Sequence, residues 1–250
     1  MFSMTKPIAF NQPQVGGLRE LAPLPGRARI PWWLAALLVL ALMGGLWWFT
    51  RDEDPESLVQ SRLVGPRSPA PVSVAILLDE SGSFTDYDQV RRQVLDQLTE
   101  WAPENLRPDD LVTVVSFASD AAVKMPTTRV ADLANRPPAY APTAPGGGTD
   151  IQPALRLLTD GTEATKASVS LVAVTDTMIG DADPDAIGDL VHGLGATTMS
   201  VITPTGVEGD WRDAFGWELE INADAGSVDQ TALAVGEAFA HATGQRLEAR

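Results

Sequence analysis

From residue 72 onward, short continuous apolar runs alternate with stretches in which apolar residues recur every three or four positions. A continuous apolar run is typical of a strand buried on both faces, and the wider spacing is typical of a helix with one buried face. The pattern predicts strands at 74–78, 111–117, 121–125, 169–174, 198–202 and 217–221. It predicts helices at 87–101, 151–158, 184–194 and 228–242, the third capped by Asp183 and opened by Pro184.

Strands that alternate with helices favour a mostly parallel sheet with helices on both faces. The sequence therefore predicts an α/β fold built on a Rossmann-like, doubly wound, mostly parallel sheet. In such sheets, ligands bind at the carboxyl ends of the strands. The loops that follow the predicted strands are therefore where functional side chains are expected.

A different pattern precedes this alternation. Residues 32–49, WWLAALLVLALMGGLWWF, contain no charge and no strongly polar side chain. As a helix this run is about 27 Å long, close to the roughly 30 Å of a bilayer core. Tryptophan pairs at both ends suit the headgroup regions. Because no small-x-small cleavage site follows, the run predicts an uncleaved transmembrane helix in front of the α/β domain.

The chain is thus predicted to have four parts. These are a mobile N-terminal tail (1–29), a transmembrane helix (30–50), a charged, proline-punctuated linker (51–71) and a folded domain (72–245). Arginines flank the apolar run on both sides, but Lys6 and the N-terminal amine shift the balance towards a cytoplasmic N-terminus. We therefore expect a single-pass protein of the cell membrane with an extracytoplasmic domain.

Charge is distributed unevenly along the chain. The formal net charge is −15, and the first 50 residues carry +3, so the remaining 200 carry −18. A domain with this excess of negative charge repels the phosphate backbones of nucleic acids. The charge therefore argues against nucleic-acid binding and favours cations or basic partners. The absence of cysteine excludes disulfides, thiolate chemistry and Cys-ligated zinc. Few lysines against many arginines and alanines suggest a GC-rich bacterial genome.

Small oxygen-bearing side chains follow the predicted strands. Asp79, Ser81 and Ser83 leave the first strand, Asp176 leaves the strand at 169–174, and Thr149 stands in a glycine-rich loop that opens a helix. If the sheet is doubly wound, these loops bring two carboxylates and three hydroxyls to one edge. An all-oxygen set suits a hard divalent cation, Mg²⁺ in particular, which accepts one or two carboxylates and keeps some waters.

These residues resemble the von Willebrand factor type A family. The D-x-S-x-S motif of that family is DESGS at 79–83, the threonine lies in GGGTD at 146–150, and the last aspartate lies in VTD at 174–176. The resemblance spans about residues 72–245 and includes all five positions of the metal-ion-dependent adhesion site. It implies that the two serines and the threonine hold Mg²⁺, with Mn²⁺ or Ca²⁺ as alternatives, while the aspartates lie close or act through water.

The resemblance also implies a function. A protein partner supplies an Asp or Glu carboxylate that completes the coordination of the metal, so we expect a membrane-tethered protein-binding module that is not an enzyme. Glu80 occupies a variable position of the motif and is expected to point away from the metal. A scaffold that no longer uses its metal remains an alternative.

A haloacid-dehalogenase-like phosphatase is the enzyme alternative, because an apolar strand ends in Asp79 and GDADPD at 180–185 imitates a late acidic motif. That family needs a second aspartate two residues after the first, where this chain has Ser81. Asp181, Asp183 and Asp185 resemble a calcium loop, but the required glycine is Ala186 and no closing glutamate follows. These three acids are better explained as a solvated helix N-terminus.

Overall fold

The computed structural model describes residues 55–135, 147–161, 167–176, 178–207 and 218–250, together with Leu37 and Val39. The chain divides into two compact units, Met1–Arg51 and Asp52–Arg250. In the first unit, the two described residues are helical, and each side chain is more than half exposed. The second unit contains the sheet and the predicted site.

Among the described residues, a six-stranded sheet forms the centre of the second unit, and two further strands pair separately. The strands are β1 (Ser61–Val64), β2 (Val72–Asp79), β3 (Leu111–Phe117), β4 (Ala121–Arg129), β5 (Ser168–Val174), β6 (Ala196–Pro204), β7 (Leu219–Ala223) and β8 (Arg246–Ala249). The six-stranded sheet has the order β4-β3-β2-β5-β6-β7, and only the β3–β4 pair is antiparallel. The predicted mostly parallel sheet is therefore confirmed.

In the part of the chain that the structure describes, four α-helices cover the two faces of this sheet. They are α1 (Asp88–Asn105), α2 (Gln152–Gly161), α3 (Pro184–Gly193) and α4 (Val228–Thr243). One buried cluster joins alternate residues of β2 to α1 and α4, including Trp101 and Phe239. A second cluster joins the other side chains of β2, such as Leu77, to α2 and α3, including Leu155 and Ile187. Helices on both faces explain why β2 is buried along its whole length.

The predicted elements lie close to where the pattern placed them: several are longer, the helix predicted at 184–194 ends at Gly193, and the strand predicted at 217–221 is shifted to Leu219–Ala223. The helix predicted at 87–101 continues to Asn105, and the strand predicted at 121–125 continues to Arg129. Asp183 caps α3 as expected, because its side chain accepts hydrogen bonds from the amides of Asp185 and Ala186. A 3-10 turn at Gly82–Tyr87, which the pattern did not predict, connects β2 to α1.

Folded structure extends beyond the predicted domain bounds of 72 and 245. Strand β1, inside the predicted linker, pairs antiparallel with β8 near the end of the chain. Leu58 is fully buried, and Trp101 Nε1 donates a hydrogen bond to the carbonyl of Ser61 at 3.1 Å. Leu58 packs against helix α4 at Gly236, where a Cβ would lie only 2.6 Å from Leu58 Cδ1. The absence of a side chain at Gly236 therefore leaves room for Leu58. Residues 58–64 therefore pack on the domain.

Asp110 organises the amino ends of the strands, on the edge opposite the predicted site. Its carboxylate accepts two hydrogen bonds from the Arg67 guanidinium, at 2.8 and 2.9 Å, and one each from the amides of Val72 and Arg107. Burial by itself raises the pKa of Asp110, but the hydrogen bonds from Arg67, Val72 and Arg107 and the positive charge of Arg67 outweigh it, so the pKa lies below its ordinary value.

The predicted transmembrane helix at 30–50 lies outside the described residues, except for Leu37 and Val39. Within the part of the chain that the structure describes, no helix is long and apolar enough to cross a membrane.

Candidate metal centre

The loop after β2 begins with a buried carboxylate. Asp79 is the last residue of β2 and is 0% exposed. Its Oδ1 accepts a hydrogen bond from the amide of Ser81 at 2.8 Å, which turns the chain sharply at the strand end. The amide of Phe84 then donates to the carbonyl of Ser81 at 2.9 Å and begins the 3-10 turn. These bonds present the side chains of Ser81 and Ser83 at the carboxyl edge of the sheet.

The two serine hydroxyls connect this loop to the loop after β5. Ser81 Oγ lies 3.2 Å from Ser83 Oγ, and Ser83 Oγ donates a hydrogen bond to Asp176 Oδ2 at 2.5 Å. The other oxygen of that carboxylate accepts from the amide of Met178 at 3.2 Å. Strands β2 and β5 are neighbours, with Leu78 opposite Val174, so their following loops meet. Four of the five predicted site residues therefore form one hydrogen-bonded group.

Thr149 stands in a third loop, immediately before α2. The amide of Gly180 donates to the carbonyl of Thr149 at 2.8 Å, which attaches this loop to the segment after β5. The amide of Asp150 donates to the carbonyl of Ala118 at 2.6 Å, which attaches it to the turn after β3. Thr149 is only 8% exposed and is therefore a buried residue of this loop.

The Asp79 carboxylate is electrostatically unfavourable where it stands. Burial raises its pKa above the ordinary value, and the negative charge of Asp176 adds to this effect. Hydrogen bonds from the side chain and amide of Ser81 and from the hydroxyl of Thr175 act in the opposite direction but do not outweigh burial. A cation at this edge would favour the charged carboxylate.

The oxygens of this group fit a small divalent cation. Adjacent ligands of an octahedral Mg²⁺, each about 2.1 Å from the metal, lie roughly 3 Å apart. The Ser81 and Ser83 hydroxyl oxygens are separated by 3.2 Å, and the second of them is in direct contact with Asp176. Carboxylate and hydroxyl oxygens are ligands that Mg²⁺ accepts. The donor set is thus compatible with the predicted metal in both spacing and chemistry.

This set differs from an ordinary acidic metal cluster. Among the described residues, no group of three or more His, Asp or Glu side chains is arranged to hold a metal ion. In the candidate site, two carboxylates and the hydroxyls together are the candidate metal ligands, so these side chains present at most two negative charges.

The sequence did not predict the roles of two residues of this region, Thr175 and Asp181. Thr175 is fully buried, and its hydroxyl donates to Asp79 Oδ2 at 2.7 Å, linking β5 to the carboxylate at the end of β2. Asp181 accepts hydrogen bonds from the amides of Ile151 and Gln152, each at 2.9 Å, and so caps α2 from the loop after β5. The position of Thr175 beside Asp176 is a weak signal for the first role. Nothing local predicts the second.

The hydrogen bonds that Asp181 accepts argue against the calcium-loop and phosphatase alternatives. Its carboxylate holds the N-terminus of α2, and Asp183 holds the N-terminus of α3. The two acids thus serve two different helices, as residues of helix N-termini rather than of a calcium loop. Asp181 also belongs to the late acidic motif of the phosphatase alternative, and its carboxylate caps α2. Ser81 stands where the second aspartate of that family is needed.

Comparisons with known proteins concern the sequence family and the fold. Residues 74–179 match the family model for the von Willebrand factor type A domain. The chain is similar to a solved structure described as von Willebrand factor type A from Catenulispora acidiphila, at 17% identity and a TM-score of 0.51, covering 76% of this chain and 51% of that one. It is also similar to proximal thread matrix protein 1 from the mussel byssus, at 14% identity and a TM-score of 0.51, covering 76% and 51%.

Another structure of the mussel protein, with a zinc-occupied MIDAS motif, matches at 14% identity and a TM-score of 0.49, covering 70% of this chain and 49% of that one. The chain spans about half the length of these solved chains. No similar chain was found among the curated proteins. Likeness at such low identity concerns the fold, whereas the family match concerns the sequence itself. Residues 74–179 therefore match the von Willebrand factor type A domain in sequence, and the mostly parallel sheet and the DESGS loop agree with that match.

Proposed function

We propose that this protein is a membrane-tethered module that binds a protein partner through a divalent metal ion and has no catalysis of its own. The observation that carries the proposal is the hydrogen-bonded group of Asp79, Ser81, Ser83 and Asp176 at the carboxyl edge of the sheet. The family match and the spacing of the serine oxygens support the same assignment.

In this proposal, Ser81, Ser83 and Thr149 hold the cation through their hydroxyls, and Asp79 and Asp176 act close to it or through water. Mg²⁺ is the first candidate, because the set contains two carboxylates and neutral oxygens and leaves positions for water. Mn²⁺ accepts the same ligands, and Ca²⁺ is a further candidate. When bound, the metal would supply an electrophilic position at the surface.

The partner is proposed to contribute an Asp or Glu carboxylate. The chain itself offers a divalent cation three neutral hydroxyls and at most two negative charges, so affinity for a further carboxylate remains. A carboxylate that replaces water there gains a charge-assisted contact in the centre of an interface. Contacts of this kind are typical hot spots, and their loss costs about 2 kcal/mol or more of binding free energy.

The test crosslinks the full-length protein to its partner in native membranes, with the crosslinker added only after each metal condition has been set. The partner should be recovered with Mg²⁺, lost in EDTA and recovered again when Mg²⁺ is restored. Thr149→Val, which removes the hydroxyl but keeps the volume of this buried residue, should lower recovery at least tenfold. Thr149→Ser, which keeps the hydroxyl, is the matched control. Equal recovery with and without EDTA would favour the metal-independent scaffold instead.

We further propose that residues 30–50 anchor the protein in the cell membrane, with the N-terminus in the cytoplasm. Support comes from the apolar run at 32–49, its tryptophan borders and the positive charge of the N-terminal segment. In cells whose outer layers are permeabilised, added protease should digest the domain but leave an epitope tag placed before Lys6 intact. Protection of the domain until the cell membrane is lysed would reverse the orientation, and release of the domain into the medium would contradict the anchor.

A further inference from the structure

Strand β4 contains an irregularity beside the metal loop. In its pairing with β3, Val114 lies opposite Met125, but the next residue, Val115, lies opposite Val123. Lys124 is therefore the extra residue of a β-bulge. A bulge interrupts the alternation of side chains and can turn one of them to the other face of the sheet.

The exposed fractions of successive β4 residues reflect this change of direction. Val123 is 47% exposed, whereas Lys124 and Met125, which are consecutive, are 7% and 2% exposed. In a regular strand these two neighbours would lie on opposite faces. The bulge thus places a lysine inside the domain, in an edge strand where its side chain would otherwise be expected in solvent.

The buried lysine meets the metal loop. Lys124 Nζ lies 3.0 Å from Glu80 Oε2, and the Glu80 side chain is only 13% exposed. Glu80 stands between Asp79 and Ser81, and its amide donates to the carbonyl of Phe117 at 2.8 Å. Glu80 lies between two predicted metal ligands, and it is bound to β3 through its backbone and to β4 through its side chain.

We propose that Lys124 is a positioning residue for the metal centre, acting through Glu80 to set the direction of Ser81. The proposal rests on the metal-binding function proposed above. A buried ion pair contributes little net stability by itself, because desolvation offsets most of the attraction. What the pair supplies here is geometry: it holds the Glu80 carboxylate at β4, away from the cation, and it prevents the loop from rotating about Glu80.

The sign of the effect separates positioning from simple electrostatics. Lys124 carries a positive charge near a cation site, so removing that charge without any change of geometry should tighten cation binding. Removing a residue that positions the ligands should instead weaken it, and loss of an outer-shell partner commonly costs 10- to 100-fold in metal affinity.

The experiment is a calorimetric Mn²⁺ titration of the full-length protein in detergent, at a temperature where circular dichroism shows every variant to be folded. Lys124→Met should raise the Kd for Mn²⁺ about tenfold or more, and Lys124→Arg should stay within about threefold of wild type. If Lys124→Met does not fold, Lys124→Gln takes its place, with weakening again expected.

Arg67→Met is the matched control, because it breaks another buried ion pair, that with Asp110 at the opposite edge of the sheet. It should lower stability and leave the Mn²⁺ affinity unchanged. Unchanged or tighter binding by Lys124→Met would overturn the positioning role, as would equal weakening by Arg67→Met. A wild-type protein that bound no Mn²⁺ would instead contradict the proposed function.

Discussion

Asp79→Asn is expected to abolish the binding of Mg²⁺ and Mn²⁺ while leaving the domain folded. Asp79 is a fully buried carboxylate of the site, and burial raises its pKa more than the hydrogen bonds from Ser81 and Thr175 lower it. Asparagine has nearly the same shape but no charge for the cation to neutralise. Since the folded apo protein already disfavours the charged carboxylate, the substitution should cost little stability in EDTA.

Thermal unfolding measures this directly. A ligand at 100 times its Kd stabilises the folded state by about 2.7 kcal/mol, so saturating metal should raise the Tm of the wild type measurably. The Asp79→Asn substitution should remove this rise. Asp86→Asn is the control, because Asp86 is exposed in the turn that follows the motif, and the metal-dependent rise should persist there. A variant at Asp79 that kept the full rise would remove Asp79 from the site.

Asp110→Ala is expected to destabilise the domain by about 3–5 kcal/mol at pH 7, because it leaves the buried Arg67 guanidinium without its carboxylate. Two backbone amides, those of Val72 and Arg107, lose their acceptor as well. Asp109→Ala is the control, since Asp109 is exposed and adjacent in sequence, and its substitution should change stability by less than about 0.5 kcal/mol. Urea unfolding provides the measurement.

The pH dependence follows from the lowered pKa of Asp110. A carboxylate whose pKa is lower in the folded state than in the unfolded state binds fewer protons when folded, so its contribution is complete above the unfolded value. That contribution is lost as the pH falls from about 4 through the lower folded value. The stability difference between wild type and Asp110→Ala should therefore narrow in acid. A difference that stays constant from pH 7 down to acid unfolding would contradict the charged role of Asp110.

Much of the fold is contained in local patterns. The continuous apolar run before Asp79 is typical of a strand buried on both faces, and the helical spacing of the following stretch predicts a helix that covers one face. Strand–helix alternation then implied a parallel sheet, and a parallel sheet places the ends of β2 and β5 at one edge. For this reason Asp79, Ser81, Ser83 and Asp176 could be grouped before any contact was known.

Contacts between distant segments had no such local signal. Strand β1 pairs with β8, which lies at the other end of the domain, and its few residues carry no apolar run by which to recognise them. The cap of α2 by Asp181 joins two loops that only the packed sheet brings together. Burial of Lys124 depends on a bulge, and a shift of one residue in register reverses the face of every side chain beyond it.

The sequence by itself therefore determined the order of the strands and helices of the central sheet, the edge of the sheet that carries the candidate site and the chemistry of the oxygens there, because periodicity and parallel topology constrain all three. Only the tertiary structure decided which groups contact the acidic side chains in and around the candidate site. Thr175 supports Asp79, Lys124 pairs with Glu80, and Asp181 is engaged by α2. Such pairings depend on distances of about 3 Å between separate segments, which are set by register and packing and not by the spacing of residues along the chain.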